Sequence, residues 1–369
     1  MKAVITGGGT AGHINPALAI AQELRSLGHE VSYAGTPGGL EARLVPQEGF
    51  PFTAFDAAGF NRRKPLTLLS SSATIAASAL RARRWLAGLA PQVVVGFGGY
   101  VSIPVGLAAS WLRIPLVIHE QNAASGMANR FLARRARLAA LAYASAAEDF
   151  RAAGRVEVVG NPVRAALFAT GRAEAREALG LPADATVLLA FGGSLGARHL
   201  NEALVSHAAP LLSLRGLHIL HVTGTRDYGE VAAAIERLPE AAGRWHLIGY
   251  CDRMGEAYAA ADAVLSRAGA TTLAELSALG MPALLVPYPH AAADEQATNA
   301  RSLVEAGAAV MVADSELDTP AFIEQLMRLL TDEDARANMA QAARSHGNPH
   351  AREALARIIV ETAVPVPVV

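Results

Sequence analysis

Two glycine-rich turns lie 185 residues apart, from Gly7 to Gly192, each preceded by a short apolar run and followed by a helical pattern. The first reads AVITGGGTAGH, from Ala3 to His13; the second reads TVLLAFGGSLGAR, from Thr186 to Arg198. In a strand–turn–helix unit of this kind, backbone N–H groups can approach a phosphate closely, and the helix N-terminus adds a favourable dipole. One such unit points to a nucleotide site. Two, a domain length apart, point to an α/β chain of two Rossmann-like domains whose parallel sheets face a central cleft.

The rest of the pattern fits. Apolar strands alternate with helical stretches, as in parallel sheets covered by helices on both faces. Strands are predicted near 2–6, 30–34, 93–96, 115–119 and 156–159, then near 186–191, 218–222, 245–248, 263–266 and 283–286. Helices are predicted over 16–28, 67–89 and 125–136, then near 199–213, 229–237, 271–279 and 295–306. In GNPVRAALF, 160–168, Asn161-Pro162 breaks the pattern and marks an inter-domain linker. The expected domains are 1–160 and 161–340. A last helical stretch, 335–361, leads into a tail, and 341–369 is free to pack back on the N-terminal domain.

The 369 residues suffice for two substantial cores. No run of about 18 apolar residues occurs, so no transmembrane helix is expected. The start, MKAVITGG, enters a strand directly and does not read as a signal peptide. Cys251 is the only cysteine, which fits a reducing cytoplasm. The net charge of −1 conceals an asymmetry: residues 1–163 carry 16 basic against 9 acidic side chains, and the remainder 16 against 24. A basic half points to an anionic partner. Only 5% of residues are aromatic, and no zinc-ligand spacing or RNA-binding motif accompanies the charge. Nucleic acid is therefore set aside in favour of an anionic membrane surface or a phosphorylated ligand.

Ligands of open α/β sheets bind beyond the carboxyl ends of the strands. The polar clusters fall there: GGGTAGH, GFGGY, HEQN at His119–Asn122, GNPVR, FGGSLGAR and SRAGATTLAE. The first turn also fits G-x-G-x-x-G at Gly7, Gly9 and Gly12. The second strand, however, ends SYAGTPGG with no carboxylate for a ribose, which disfavours NAD. In SRAGATTLAE, Gly269 and Ala270 leave room for phosphate, and Thr271 and Thr272 can donate to it. Glu275, one turn further, can accept from two ribose hydroxyls or close a capping box on Thr272; both roles stay open. His13 ends the first glycine loop at a helix start, where a neutral imidazole can act as a base or meet a phosphate. No H-E-x-x-H, paired-cysteine, G-x-S-x-G or P-loop motif is present, which argues against hydrolase, NTPase and metal-dependent chemistry.

GGGTAGH, HEQN, GNPVR, GGSLGAR, SRAGATTLAE and D-E-Q-x-x-N-A at 294–300 occur in an order that resembles the GT-B-fold glycosyltransferases, and among them the MurG family, over essentially the whole chain. The resemblance implies an inverting hexosyltransferase that moves GlcNAc from UDP-GlcNAc to the MurNAc 4-hydroxyl of undecaprenyl-pyrophosphoryl-MurNAc-pentapeptide, turning lipid I into lipid II. It implies that Glu275 binds ribose, and that Ala270, Thr271, Thr272 and Leu273 meet the diphosphate and nearby atoms. Backbone near Cys251 would meet uracil. Arg164 and Ser194 would bind the nucleotide or diphosphate, and Gln296 the GlcNAc hydroxyls. Thr10, Ala11, Gly12 and Asn122 would approach the sugar and acceptor. His13 would be the base or an acceptor-diphosphate contact. No cofactor is required, and Mg²⁺ could assist. Leu195 stands where a polar residue is common in GGSxGA, and Glu295 where glutamine or histidine is common.

A lipid acceptor also implies a peripheral protein on the cytoplasmic face of the cell membrane. Arg62, Arg63 and Lys64 precede a stretch with Leu68, Leu69, Ile75, Leu80, Arg81, Arg83, Arg84 and Trp85, a mix that suits an interfacial helix. The same residues would also suit a helix packed on its own sheet with a solvated basic face. Two rival functions are a UDP-GlcNAc 2-epimerase or other GT-B UDP-sugar enzyme, and a nucleotide-binding module without catalysis.

Overall fold

The computed structural model describes residues 1–57, 66–193, 196–291 and 294–363, the side chains of 66–71 excepted. Ser194, Leu195, Arg62, Arg63 and Lys64 lie outside the described residues. The chain divides into two units, Met1–Arg164 with the chain from His350 onward, and Ala165–Pro349. The first crossing falls inside GNPVRAALF.

The first unit is built on a sheet of seven strands: β1 (Lys2–Thr6), β2 (Glu30–Gly35), β3 (Phe52–Ala54), β4 (Val93–Gly96), β5 (Leu116–Glu120), β6 (Leu138–Leu141) and β7 (Val156–Val158). Their order is β3-β2-β1-β4-β5-β6-β7, and every pair is parallel. Side chains alternate across the strands. Ala3, Ile5, Val93 and Val95 pack under the helices Ala11–Ser26 and Ala351–Thr362. Val4 and Val94 pack under Leu66–Leu89 and Ser102–Trp111 on the other face. Central strands buried on both faces explain the unbroken apolar run Val93–Val95. Each such side chain contributes about 1.5–3 kcal/mol on burial.

The second unit has six strands: β8 (Thr186–Phe191), β9 (Leu217–Val222), β10 (Trp245–Ile248), β11 (Ala263–Ser266), β12 (Ala283–Leu285) and β13 (Val310–Met311), ordered β10-β9-β8-β11-β12-β13 and again all parallel. In each sheet the strand order reverses at one place, between β1 and β4 and between β8 and β11. Loops diverge there and leave a crevice. Both glycine turns follow a strand that borders such a switch point, β1 in one unit and β8 in the other.

Several expectations change, among them the predicted helix 199–213, which is two helices, Arg198–Ser206 and Ala208–Ser213. The strands β3, β6 and β13 were not foreseen, because they are two to four residues long and β6 reads LAAL inside alanine-rich sequence. The first helix begins at Ala11 rather than at 16, with Pro16 inside it. The stretch 335–361 is two helices, Glu333–His346 and Ala351–Thr362. They break at Gly347, where a Cβ would lie 2.7 Å from the backbone carbon of Ser277. Arg352 then pairs with Glu23 at 2.9 Å, and Leu355, Ile358 and Ile359 join the core of the first unit.

Candidate functional site

In the first unit the turn after β1 is held by buried polar groups. Tyr33 Oη donates to the Gly7 carbonyl at 3.0 Å, and burial pushes its pKa up. Thr10 is the N-cap of Ala11–Ser26, whose first turn carries no acidic side chain. Thr10 is exposed, while Ala11 and Gly12 are half-buried.

His13 is half-buried. Its Nδ1 lies 3.1 Å from the Gly8 carbonyl and 3.2 Å from Thr10 Oγ1. A carbonyl oxygen can only accept, so Nδ1 carries the proton and Nε2 keeps the lone pair in the neutral ring. Burial holds the pKa below the usual imidazole value, against the opposing pull of Glu120, the Gly8 carbonyl and Glu41. Gly98 has φ +92° and would place a Cβ 3.0 Å from Nε2, so only glycine leaves this edge of the ring clear.

The HEQN cluster closes β5. His119 Nε2 donates to the Gly160 carbonyl at 3.0 Å, and burial lowers its pKa to about 4, which keeps it neutral. Gln121 Nε2 donates to the Phe97 carbonyl at 3.0 Å. Glu120, 1% exposed, accepts from Asn122 N (3.1 Å) and Nδ2 (3.3 Å) on one oxygen, and from Gly126 N and Asn129 Nδ2 (both 3.0 Å) on the other. Asn122 is thus brought to the edge that holds His13. Arg164 ends this unit with Nη1 3.5 Å from Glu48 Oε1.

The NAD argument also needs a correction. A carboxylate does reach the first turn, but from Glu41, six residues beyond the end of β2. It accepts from Gly9 N at 3.3 Å.

In the second unit the helix Ala270–Leu279 starts at Gly269, its N-cap. Thr272 is therefore the third helical residue, and the capping box on Thr272 and Glu275 does not form. Glu275 Oε2 instead accepts from Tyr258 Oη at 2.9 Å. Tyr258 is buried beside Cys251, whose thiol pKa burial raises. Thr271 Oγ1 is buried without a hydrogen-bond partner among the described residues. The Leu273 side chain is 1% exposed in the core, and its N–H donates to the Gly269 carbonyl at 3.0 Å. Gln296 Oε1 accepts from Ala268 N (3.2 Å) and Tyr288 N (2.9 Å), which turns its NH₂ group away from the backbone as a fixed donor. Cys251, Thr271, Thr272, Glu275 and Gln296 thus gather at the carboxyl ends of β10, β11 and β12.

Sequence reasoning missed the groups that hold these residues. Asn201 accepts from His221 Nε2 at 3.0 Å and donates to the Thr223 carbonyl and Asp227, pinning the helix Arg198–Ser206 behind the second glycine turn. His199 on that helix meets Asp314 (2.8 Å) and Asp318 (3.1 Å), and Arg267 beside the SRAG turn pairs with the same Asp314. Those hydrogen bonds raise the His199 pKa. A raised folded value stabilises the fold fully below about pH 6.5, and that stability is lost as pH rises through the folded value. His199→Gln is therefore expected to lower Tm more in mild acid than in alkaline buffer. A difference independent of pH would contradict the charged bridge.

Among the described residues no group of three or more His, Cys, Asp or Glu side chains gathers as a cation site.

Two parallel-sheet domains with glycine turns at their switch points are the architecture of the GT-B fold. The chain belongs to glycosyltransferase family 28: the family's N-terminal domain matches residues 3–141 and its C-terminal domain residues 187–355. It is 43% identical, over 98% of its length and 99% of the relative's, to the UDP-N-acetylglucosamine–N-acetylmuramyl-(pentapeptide) pyrophosphoryl-undecaprenol N-acetylglucosamine transferase of Halothermothrix orenii. The crystal structure of Acinetobacter baumannii MurG superposes with a TM-score of 0.77 at 32% identity, covering 98% of this chain and 99% of that one. A UDP-GlcNAc 2-epimerase from Neisseria meningitidis shares the fold alone, at 15% identity, a TM-score of 0.67, and coverage of 98% of this chain and 100% of that one.

Proposed function

We propose that this chain transfers GlcNAc from UDP-GlcNAc to the MurNAc 4-hydroxyl of undecaprenyl-pyrophosphoryl-MurNAc-pentapeptide, converting lipid I to lipid II with inversion at the anomeric carbon. The near-full-length kinship with the named N-acetylglucosamine transferases carries this reading. The hydroxyl oxygen bonds to C1 of GlcNAc, the bond from C1 to the diphosphate oxygen breaks, and UDP leaves with that electron pair. His13 Nε2 takes the hydroxyl proton. On the donor side, Glu275 accepts from the ribose, Thr271 and the N-terminal turn of Ala270–Leu279 face the diphosphate, Gln296 donates to a GlcNAc hydroxyl, and Arg164 neutralises growing charge. Uracil lies against backbone near Cys251. Thr10, Ala11, Gly12 and Asn122 face the acceptor.

UDP release from UDP-GlcNAc tests this. Release that requires a lipid I analogue is expected. Conversion of UDP-GlcNAc to UDP-ManNAc without an acceptor would point to the epimerase instead, and binding of UDP without turnover on any acceptor to a binding module.

The lipid acceptor places the protein, in this reading, on the cytoplasmic face of the membrane; no helix among the described residues is long and apolar enough to cross it. The expected docking stretch keeps Leu80, Arg81, Arg83 and Arg84 exposed, Arg81 beside Asp56 at 3.2 Å, while Trp85 packs on Phe55 and Ile75 is buried, so these two belong to the fold. Further exposed apolar side chains lie nearby. Met127 and Phe131 point outward from the helix Met127–Leu132 beside exposed Arg130, Arg134 and Arg135, with Leu80 and Trp111 exposed on the two helices that follow in the same layer. Basic and apolar groups together suit an anionic interface, at about 1 kcal/mol per cation. Met127→Ser combined with Phe131→Ser should reduce binding to anionic vesicles while sparing turnover of a soluble acceptor. Undiminished vesicle binding would move the docking face elsewhere.

A further inference from the structure

The anion cradle of the first glycine turn is filled by the chain itself. Glu41 opens the helix Glu41–Gln47 and is 0% exposed. Its Oε1 accepts from Thr36 N at 2.9 Å and Thr36 Oγ1 at 2.6 Å, and its Oε2 accepts from Gly9 N at 3.3 Å. Gly8 forms the adjoining wall, where a Cβ would lie 2.1 Å from Oε1. A side chain at position 8 would therefore expel the carboxylate. A buried carboxylate is costly unless its hydrogen bonds are made, and an apolar residue would fill the same space without that cost.

Gly9 N–H and Gly8 C=O belong to one peptide group. Its N–H donates to Glu41, and its carbonyl accepts from His13 Nδ1 at 3.1 Å. The carboxylate and the imidazole are thus joined through a single peptide plane. Hydrogen bonds in such a chain polarise one another: an anion at the N–H end makes the carbonyl a better acceptor. A base oriented by a third group is the usual arrangement for proton abstraction.

We propose that Glu41 is a positioning residue for His13: it holds and polarises the Gly8–Gly9 peptide, so that the proton stays on Nδ1, donated to the Gly8 carbonyl, and Nε2 is the atom offered to the acceptor hydroxyl. This rests on the reading of His13 as the base. The charged and titratable groups facing the ring or its peptide are Glu120 from the end of β5, Glu41 and Tyr33. Glu120 keeps its own four donors and is untouched by a change at position 41.

The test is ¹⁵N NMR of the histidine rings in the full chain, with the His13 signal identified by its loss in His13→Ala. The wild type should show the proton on Nδ1. In Glu41→Gln, the amide cannot accept from both Thr36 and Gly9, and the negative charge is gone. The Nε2–H tautomer should rise and the His13 titration should move to lower pH. Turnover should fall about 10–100-fold, the loss typical when a metal-bound imidazole loses its orienting partner, with the KM for UDP-GlcNAc unchanged. Thr36→Val, which removes only the 2.6 Å bond, should shift the same signals less and carries the test if Glu41→Gln does not fold. An unchanged tautomer and titration in the variant overturns the proposal. If the tautomer moves but His13→Ala turns over normally, the base reading falls and Glu41 positions a ring without a catalytic task. If the tautomer stays while His13→Ala is inactive, the base reading stands and Glu41 is only structural.

Discussion

Replacing His13 by alanine is expected to slow glycosyl transfer about 10²–10⁴-fold, the usual contribution of a positioned base, and to leave UDP-GlcNAc affinity essentially unchanged. The expectation follows from the ring's setting in the first unit. Nδ1 is committed to the Gly8 carbonyl, Nε2 keeps its lone pair, and burial holds the pKa below the usual imidazole range. A lowered pKa keeps the ring neutral at pH 7, so the acid limb of the rate profile should lie below about pH 6.5. Single-turnover rates and UDP-GlcNAc titrations of the two proteins check this. Equal losses of rate and donor affinity would show that His13 serves the donor, and a normal rate would remove it from the chemistry.

Glu275→Gln should weaken UDP-GlcNAc binding by roughly 1.5–3 kcal/mol, the worth of charge-assisted hydrogen bonds to a ribose. That is about 10–150-fold in Kd. Glutamine is the informative replacement because its carbonyl still accepts from Tyr258, which is buried and would otherwise lose its partner. Melting temperature should therefore stay near the wild-type value. Glu275→Ala should lose both donor affinity and stability, since it orphans the Tyr258 hydroxyl at about 1–3 kcal/mol. Calorimetric titration with UDP-GlcNAc separates the effects: unchanged affinity in Glu275→Gln would leave Glu275 as no more than the partner of Tyr258.

The parts of the fold that could be read from sequence are those with local causes. Val93–Val95 and Val187–Phe191 are apolar runs that stop at glycine, so strand, turn and switch-point loop are all written within a dozen residues. The edge strands β3 and β13 are too short to carry a period. Pro16 resembled a helix start because proline favours the first turn, but the turn before it, Ala11–Ile14, was already helical. The unit that receives Ala351–Thr362 is decided by Arg352 meeting Glu23 and by Ile358 and Ile359 finding the first core, contacts over 300 residues of chain.

The site divides in the same way. His13, Thr271 and Glu275 stand at helix starts that follow strands and could be singled out from position, and Gln296 from the family resemblance. That the Leu273 side chain faces the core follows only from the helix phase. Glu41, Glu120, Tyr258 and Asp314 were invisible for a shared reason: each acts on a residue brought to it by the tertiary fold. Glu41 in particular sits in an ordinary stretch, EARLVPQ, and gains its role only when β2 runs beside β1.

The most direct measurement is the anomeric configuration and composition of the product formed from UDP-GlcNAc and a lipid I analogue. One UDP released per GlcNAc-β-1,4-MurNAc unit, with the large anomeric proton coupling of a β-linkage, is the predicted result. An α-linked product, or UDP-ManNAc appearing whether or not the acceptor is present, would contradict the inverting transfer.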